Sequence, residues 1–177
     1  MLGHTGTVTA PMMCLCFLVR DGQVLLGRKK RGFGQGRIVG PGGKVEPGER
    51  PIEAAAREVA EETGLRAAQE DLTKVAWITY RFPARPAWDQ DARVFITQRW
   101  SGEVTESDEL EPRWWPADAL PLGEMWDDAR YWLPKVLAGE QVRVAAVFAP
   151  DCATVATIEV TPAFGDPGDG ASLGLSR

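Results

Sequence analysis

The chain has 177 residues, of which 44% are hydrophobic and 25% charged, and it carries a net charge of -5. Those figures fit one globular domain with a sizeable core. The lack of any basic run argues against a general nucleic-acid scaffold, and no apolar stretch approaches the 18 or more residues of a membrane span.

Residues 1–10, MLGHTGTVTA, lack a basic start followed by an apolar core, so they read as a flexible terminus rather than a secretory leader. They hold the single histidine, His4, whose Gly/Thr-rich setting favours a frayed tail over catalysis. The folded domain is expected over 11–163. It opens with the apolar run MMCLCFLV, a buried strand, in which Cys14 and Cys16 point the same way because strand side chains alternate. With Cys152 they make no disulfide framework, and a reducing, cytoplasmic setting follows. Asp21-Gly22 offers turn chemistry before a second strand, QVLLGRK, so the pair reads as a hairpin. The glycine-rich stretch RGFGQGRIVGPGGKVEPGE should be mostly loop, with a short strand near Arg37–Val39.

The clearest helix runs from Pro51 to Thr63, with proline in its first turn and Gly64 just past its end. VAWITYRF and DARVFITQRW read as two strands bridged by a loop around Pro83–Asp91. A second helix covers about Asp127–Leu137. VRVAAVF and TVATIEV form a closing hairpin around Pro150-Asp151, and the tail 164–177 has the composition of a disordered segment. Strands that mostly meet as hairpins, interrupted by two helices, predict a mixed sheet between helices rather than a dinucleotide-binding βαβ fold.

The first helix poses a question. Ile52, Ala55, Ala56, Val59 and Thr63 share an arc of about 100°, the face to bury. Glu58, Glu61 and Glu62 crowd an adjacent arc, where like charges oppose one another. Carboxylate oxygens beside a glycine-rich loop, whose backbone carbonyls can approach closely, suit a hard divalent cation. Such an ion would reverse the repulsion, and Arg57 could orient one carboxylate.

From Gly43 to Leu65 the chain fits G-x5-E-x7-R-E-U-x-E-E-x-G-U without a gap, U being aliphatic: Gly43, Glu49, Arg57, Glu58, Val59, Glu61, Glu62, Gly64 and Leu65. This resembles the Nudix box of the Nudix hydrolase superfamily. The resemblance implies an α/β/α sandwich with a mixed sheet and a loop-helix-loop motif. It implies hydrolysis of a nucleoside diphosphate linked to another group, with Mg2+ or Mn2+ as cofactor. It gives metal ligation to Glu58, Glu61 and Glu62, with a backbone carbonyl of Gly42 or Gly43, while Glu49 and Arg57 buttress the motif. The proton of the attacking water would go to one of the three glutamates or to Glu109.

Likeness continues in KKRGFGQGR, TESDELEPRWW and EMWDDARYWLP, which resemble the oxidised purine nucleoside triphosphatase branch, or 8-oxo-dGTP diphosphatases. That branch releases pyrophosphate and a nucleoside monophosphate from a triphosphate. It makes Glu109 a further metal ligand and puts Lys29 at the phosphates or the pocket edge. Phe33, Tyr80, Phe82, Leu110 and Trp126 would wall the base, with Cys14, Val39, Pro41, Lys44, Asp127 and Asp128 also at the substrate. Trp114, Trp115, Trp132 and Phe95 read as core. Two departures concern the base. The branch has an asparagine where this chain has Val39, which cannot supply an amide hydrogen bond. The acidic pair after Trp126 aligns with only Asp128 on an aspartate, Ala129 replacing the second. Specificity looser than, or different from, strict 8-oxo-dGTP is therefore expected. The alternatives are hydrolysis of ADP-ribose, a dinucleoside polyphosphate or an RNA cap, and a non-catalytic nucleotide sensor. A small-molecule nucleotide, with no duplex or membrane partner and a monomeric state, completes the expectation.

Overall fold

The computed structural model describes residues 9–163. His4 and the tail 164–177 lie outside the described residues. Nine strands form one mixed sheet: β1 (Met12–Arg20), β2 (Gln23–Lys29), β3 (Ile38–Val39), β4 (Gly42–Lys44), β5 (Thr73–Arg81), β6 (Gln90–Thr97), β7 (Leu110–Pro116), β8 (Val142–Phe148) and β9 (Val155–Pro162). Helix α1 spans Pro51–Thr63 and α2 spans Ala129–Leu137. The sheet runs β3-β2-β1-β6-β5-β8-β9, with β4 on β1 and β7 on β2.

Alternation along β1 separates two cores. Cys14, Cys16 and Leu18 face α1 and pack with its Ala54, Ala55 and Val59. Phe17 faces the other way, joining Trp132, Leu133 and Val136 of α2. A strand covered on both faces reads as a continuous apolar run, which is why MMCLCFLV shows no alternation of polarity.

The β1–β2 turn forms as expected, but its hairpin is short, pairing Val19 with Val24 and Arg20 with Gln23. Beyond it β1 runs parallel to β6 from Met12 to Leu18, and β5 runs parallel to β8. Hairpins therefore supply less of the sheet than expected, because these parallel partners lie far apart in sequence. Strand β7 was not anticipated. Its Pro112 and Pro116 lack an N–H and argue against a central strand, yet β7 lies outside the main strand order and pairs with β2, where prolines are tolerated. Helix α2 starts at Ala129 rather than Asp127, with Asp128 as its N-cap.

Helix α1 has the bounds its sequence predicts. Glu53 closes its first turn, accepting the Arg50 N–H through Oε2 at 2.8 Å and Arg50 Nη2 through Oε1 at 3.0 Å. Gly64 ends it at φ 76°, a left-handed conformation that favours glycine, and its N–H donates to Ala60 O.

Candidate active site

The loop before α1, strand β4 and the helix itself are tied together by one side chain. Arg57 donates from Nε to Glu49 Oε1 at 2.8 Å and from Nη2 to Glu49 Oε2 at 3.0 Å. Nη2 also reaches the Lys44 carbonyl at 3.1 Å, and Nη1 donates to Glu58 Oε1 at 2.9 Å. The paired guanidinium holds Glu49 below the usual carboxylate range, aided by the Glu46 N–H. These bonds join the two residues, Glu49 and Arg57, for which the resemblance implies a buttressing role.

Beside it, one carboxylate oxygen each from Glu58, Glu62 and Glu109 lie within 4.8 Å of one another. Glu58 and Glu62 are buried, at 8% and 4% exposure. Burial raises the Glu58 carboxyl despite Arg57, and burial together with the neighbouring Glu58 pushes Glu62 up to about 8. Two buried, mutually repelling acids beside a third are unfavourable as bare anions, and their oxygens form a donor set for a hard divalent cation. Glu61 stands apart from this trio. Its side chain is exposed, and Oε2 accepts from Arg57 Nη1 at 3.2 Å. Its position one residue before Glu62 rotates it about 100° around the helix, towards solvent.

Gly43 explains how the strand reaches this cluster. A Cβ there would lie 2.4 Å from Glu58 Oε1, so only glycine lets the β4 backbone sit against the carboxylate. Gly42 and Gly43 also line an adjoining cleft of about 130 Å3. The cluster and the cleft thus share a wall.

The cleft is largely aromatic. Phe33 stacks on Trp126 with ring centroids 5.1 Å apart and planes 17° from parallel. Phe82 stacks on Phe148 at 4.5 Å, and Arg37 places its guanidinium 4.1 Å over Trp126. Cys14, Lys29, Val39, Tyr80 and Asp128 complete the predicted residues that line it. The Asp128 carboxylate accepts from Trp132 Nε1 at 2.7 Å through Oδ2, while Oδ1 is buried without a hydrogen-bond partner. Burial raises both Asp128 and Tyr80, which face each other. The Cys14 thiol, also buried, is pushed up to about 12 and is no nucleophile at neutral pH.

Four predicted substrate residues are placed elsewhere. Pro41 turns its carbonyl to the Cys16 N–H, and Lys44 gives its carbonyl to Arg57. Leu110 is buried over Gly27, where a Cβ would come within 2.4 Å of its Cγ. Asp127 accepts from the Val155 N–H at 2.8 Å and pairs with Arg130 at 2.9 Å. It is a structural tie between α2 and β9. Conversely, Gln90, Met125, Trp132 and Phe148 line the cleft without having been singled out for it. Gln90 was traceable, since it lies in phase with the buried Ala92 and Val94 along β6. Phe148 was not, because only sheet order brings β8 beside β5.

Comparison with known proteins places the chain in context. The NUDIX domain profile matches residues 10–136. The oxidized purine nucleoside triphosphate hydrolase of Danio rerio is 40% identical over 129 residues, covering 73% of this chain and 81% of that protein. The Mus musculus protein of the same description matches with the same identity and coverage. Among solved structures, the MutT protein from Bacillus halodurans superposes with a TM-score of 0.71 at 23% identity, over 85% of this chain and 97% of that one. That likeness bears on the fold alone.

Proposed function

The chain belongs to the NUDIX domain family of hydrolases, and from that premise we propose that it is a Mg2+- or Mn2+-dependent pyrophosphohydrolase of modified purine nucleoside triphosphates, releasing pyrophosphate and a nucleoside monophosphate. The observation that carries this reading is the shared wall at Gly43, which abuts the carboxylate trio on one side and lines the aromatic cleft on the other. A flat base seated in the cleft directs its phosphates to the acidic cluster. The two relatives described as oxidized purine nucleoside triphosphate hydrolases support the substrate class.

The chain's own residues divide the work. Glu58, Glu62 and Glu109 would hold the cation, and a carboxylate of this cluster takes the proton from the attacking water. When bound, the cation neutralises phosphate oxygens and makes a coordinated water more acidic. Arg57 keeps Glu58 oriented from behind, and Lys29, at the cleft edge, adds positive charge for the polyphosphate. The aromatic walls exclude water around the base and present π-faces for stacking. Buried, free Cys14 and Cys16 support a reducing, cytoplasmic setting. No helix among the described residues is long and apolar enough to cross a membrane.

The test is pyrophosphate release, with Mg2+, across oxidised, methylated and ordinary purine deoxynucleoside triphosphates. Turnover of at least one modified purine triphosphate above its ordinary counterpart is expected. No turnover of any triphosphate would sink the proposal.

A further inference from the structure

We propose that Gln90 is the residue that reads the hydrogen-bonding edge of the purine, with Tyr80 beside it. The inference rests on the base occupying the aromatic cleft, as above.

Gln90 opens β6 and pairs directly across the sheet with Tyr80 of β5. Directly opposed residues share a face, with Cβ atoms about 5 Å apart. That face is the cleft side: Ile78, two residues before Tyr80, and Ala92, two residues after Gln90, lie in the core beneath α2. Both Gln90 and Tyr80 line the cleft. Gln90 is the one lining residue that carries an amide, and among the described residues no hydrogen bond engages that amide. Its backbone carbonyl, by contrast, is held, accepting from Arg81 Nη1 at 3.3 Å. The strand is anchored while the amide is left for a ligand.

The β3 side of the cleft cannot do this work. Val39 is apolar, and its neighbours Ile38 and Gly40 offer no polar side chain. Asp128, at 2% exposure, faces Tyr80 and leaves Oδ1 without a hydrogen-bond partner, so this side of the cleft carries buried polar groups. A base seated here meets its polar contacts on the Gln90–Tyr80–Asp128 side. An amide offers a donor and an acceptor side by side, which matches a purine whose ring edge shows the complementary pair. A purine with no six-position substituent lacks half of that pair.

The experiment compares kcat/KM for a 6-oxo or 6-amino purine deoxynucleoside triphosphate with that for purine deoxyriboside triphosphate, which has hydrogen at position six. Gln90→Leu keeps the bulk and removes the amide. It should lower the preference for the substituted purine about 10- to 100-fold. Gln98→Leu, on an exposed residue outside this cleft, should keep the wild-type ratio. An unchanged ratio in Gln90→Leu, with the fold intact by circular dichroism, overturns the assignment. The second measurement needs no reaction: calorimetric binding of the matching deoxynucleoside monophosphates to metal-free protein. Should wild type turn over no triphosphate yet bind the substituted monophosphate preferentially, and Gln90→Leu lose that preference, the reaction fails and the role of Gln90 stands. Equal binding of the two monophosphates by wild type overturns the role of Gln90 regardless of turnover.

Discussion

Arg57 and Glu49 meet fork to fork, with two hydrogen bonds of 2.8 and 3.0 Å between the guanidinium and the carboxylate. The pair spans eight residues of sequence and ties the loop before α1 to the middle of the helix. The same guanidinium reaches the Lys44 carbonyl of β4 and Glu58 of the acidic cluster. A lysine cannot replace it, because the three donors of an ammonium sit on one nitrogen and cannot span acceptors spread along the guanidinium fork.

Arg57→Lys is therefore expected to lower stability by about 1–3 kcal/mol and turnover by at least ~10-fold, with Glu58 no longer held in place. Urea unfolding and steady-state kinetics measure the two effects. A double variant with Glu49→Gln should lose less than the sum of the single losses, since the two residues act as a unit. Strict additivity would show that the fork does not couple loop to helix.

The acidic cluster sets a pH dependence for metal-free protein. The Glu62 carboxyl is raised from its ordinary 4.5 to about 8, chiefly by burial and then by Glu58. Across that window the folded state keeps the proton and the unfolded state releases it. Stability from this group is thus complete below pH 4.5 and is lost as pH rises towards 8. Glu58 is raised in the same direction. The melting temperature without metal should fall by about 5–10 °C between pH 5 and pH 8. Saturating Mg2+ or Mn2+ should restore it at pH 8, because a ligand that binds only the folded state stabilises it. Glu62→Gln should flatten the slope, remove the metal response and abolish turnover. A wild-type melting temperature that rises over this window, or ignores metal, contradicts the cluster's role.

Gly43→Ala tests the close approach of strand and carboxylate. Gly43 does not adopt a positive φ, so its backbone accepts alanine without strain. The added Cβ would instead fall 2.4 Å from Glu58 Oε1 and push that side chain aside. The variant should fold, with the apparent affinity for Mn2+ weakened about 10- to 100-fold. Wild-type metal affinity in a folded Gly43→Ala protein would count against Glu58 as a ligand.

Much of this molecule is written in local sequence. Helix α1 has the bounds its Pro51 and Gly64 signal, because capping and backbone preferences act within a few residues. The spacing of Glu58, Glu61 and Glu62 predicts one acidic patch beside the buried face, because helical periodicity translates spacing into direction. It does not separate Glu61 from its neighbours. That difference depends on β4 and the Lys29–Leu110 pairing, which bring Gly43 and Glu109 to one side of the helix. The cleft belongs to tertiary structure almost entirely. Phe33, Tyr80, Gln90, Trp126 and Phe148 come from five points along the chain. Tyr80 and Gln90 meet through the antiparallel pairing of β5 with β6, Phe148 joins them because β8 lies parallel to β5, and Phe33 and Trp126 come in on loops. Such pairings join distant residues through backbone hydrogen bonds that every residue but proline can make, so the order of strands leaves little trace in local sequence. Asp127 and Asp128 show the same division. Adjacent and alike in sequence, Asp127 ties the start of α2 to β9 through the Val155 N–H, while Asp128, the N-cap, turns inward to Trp132 and the cleft, because only the packing of the helix start against the sheet decides which way each side chain points.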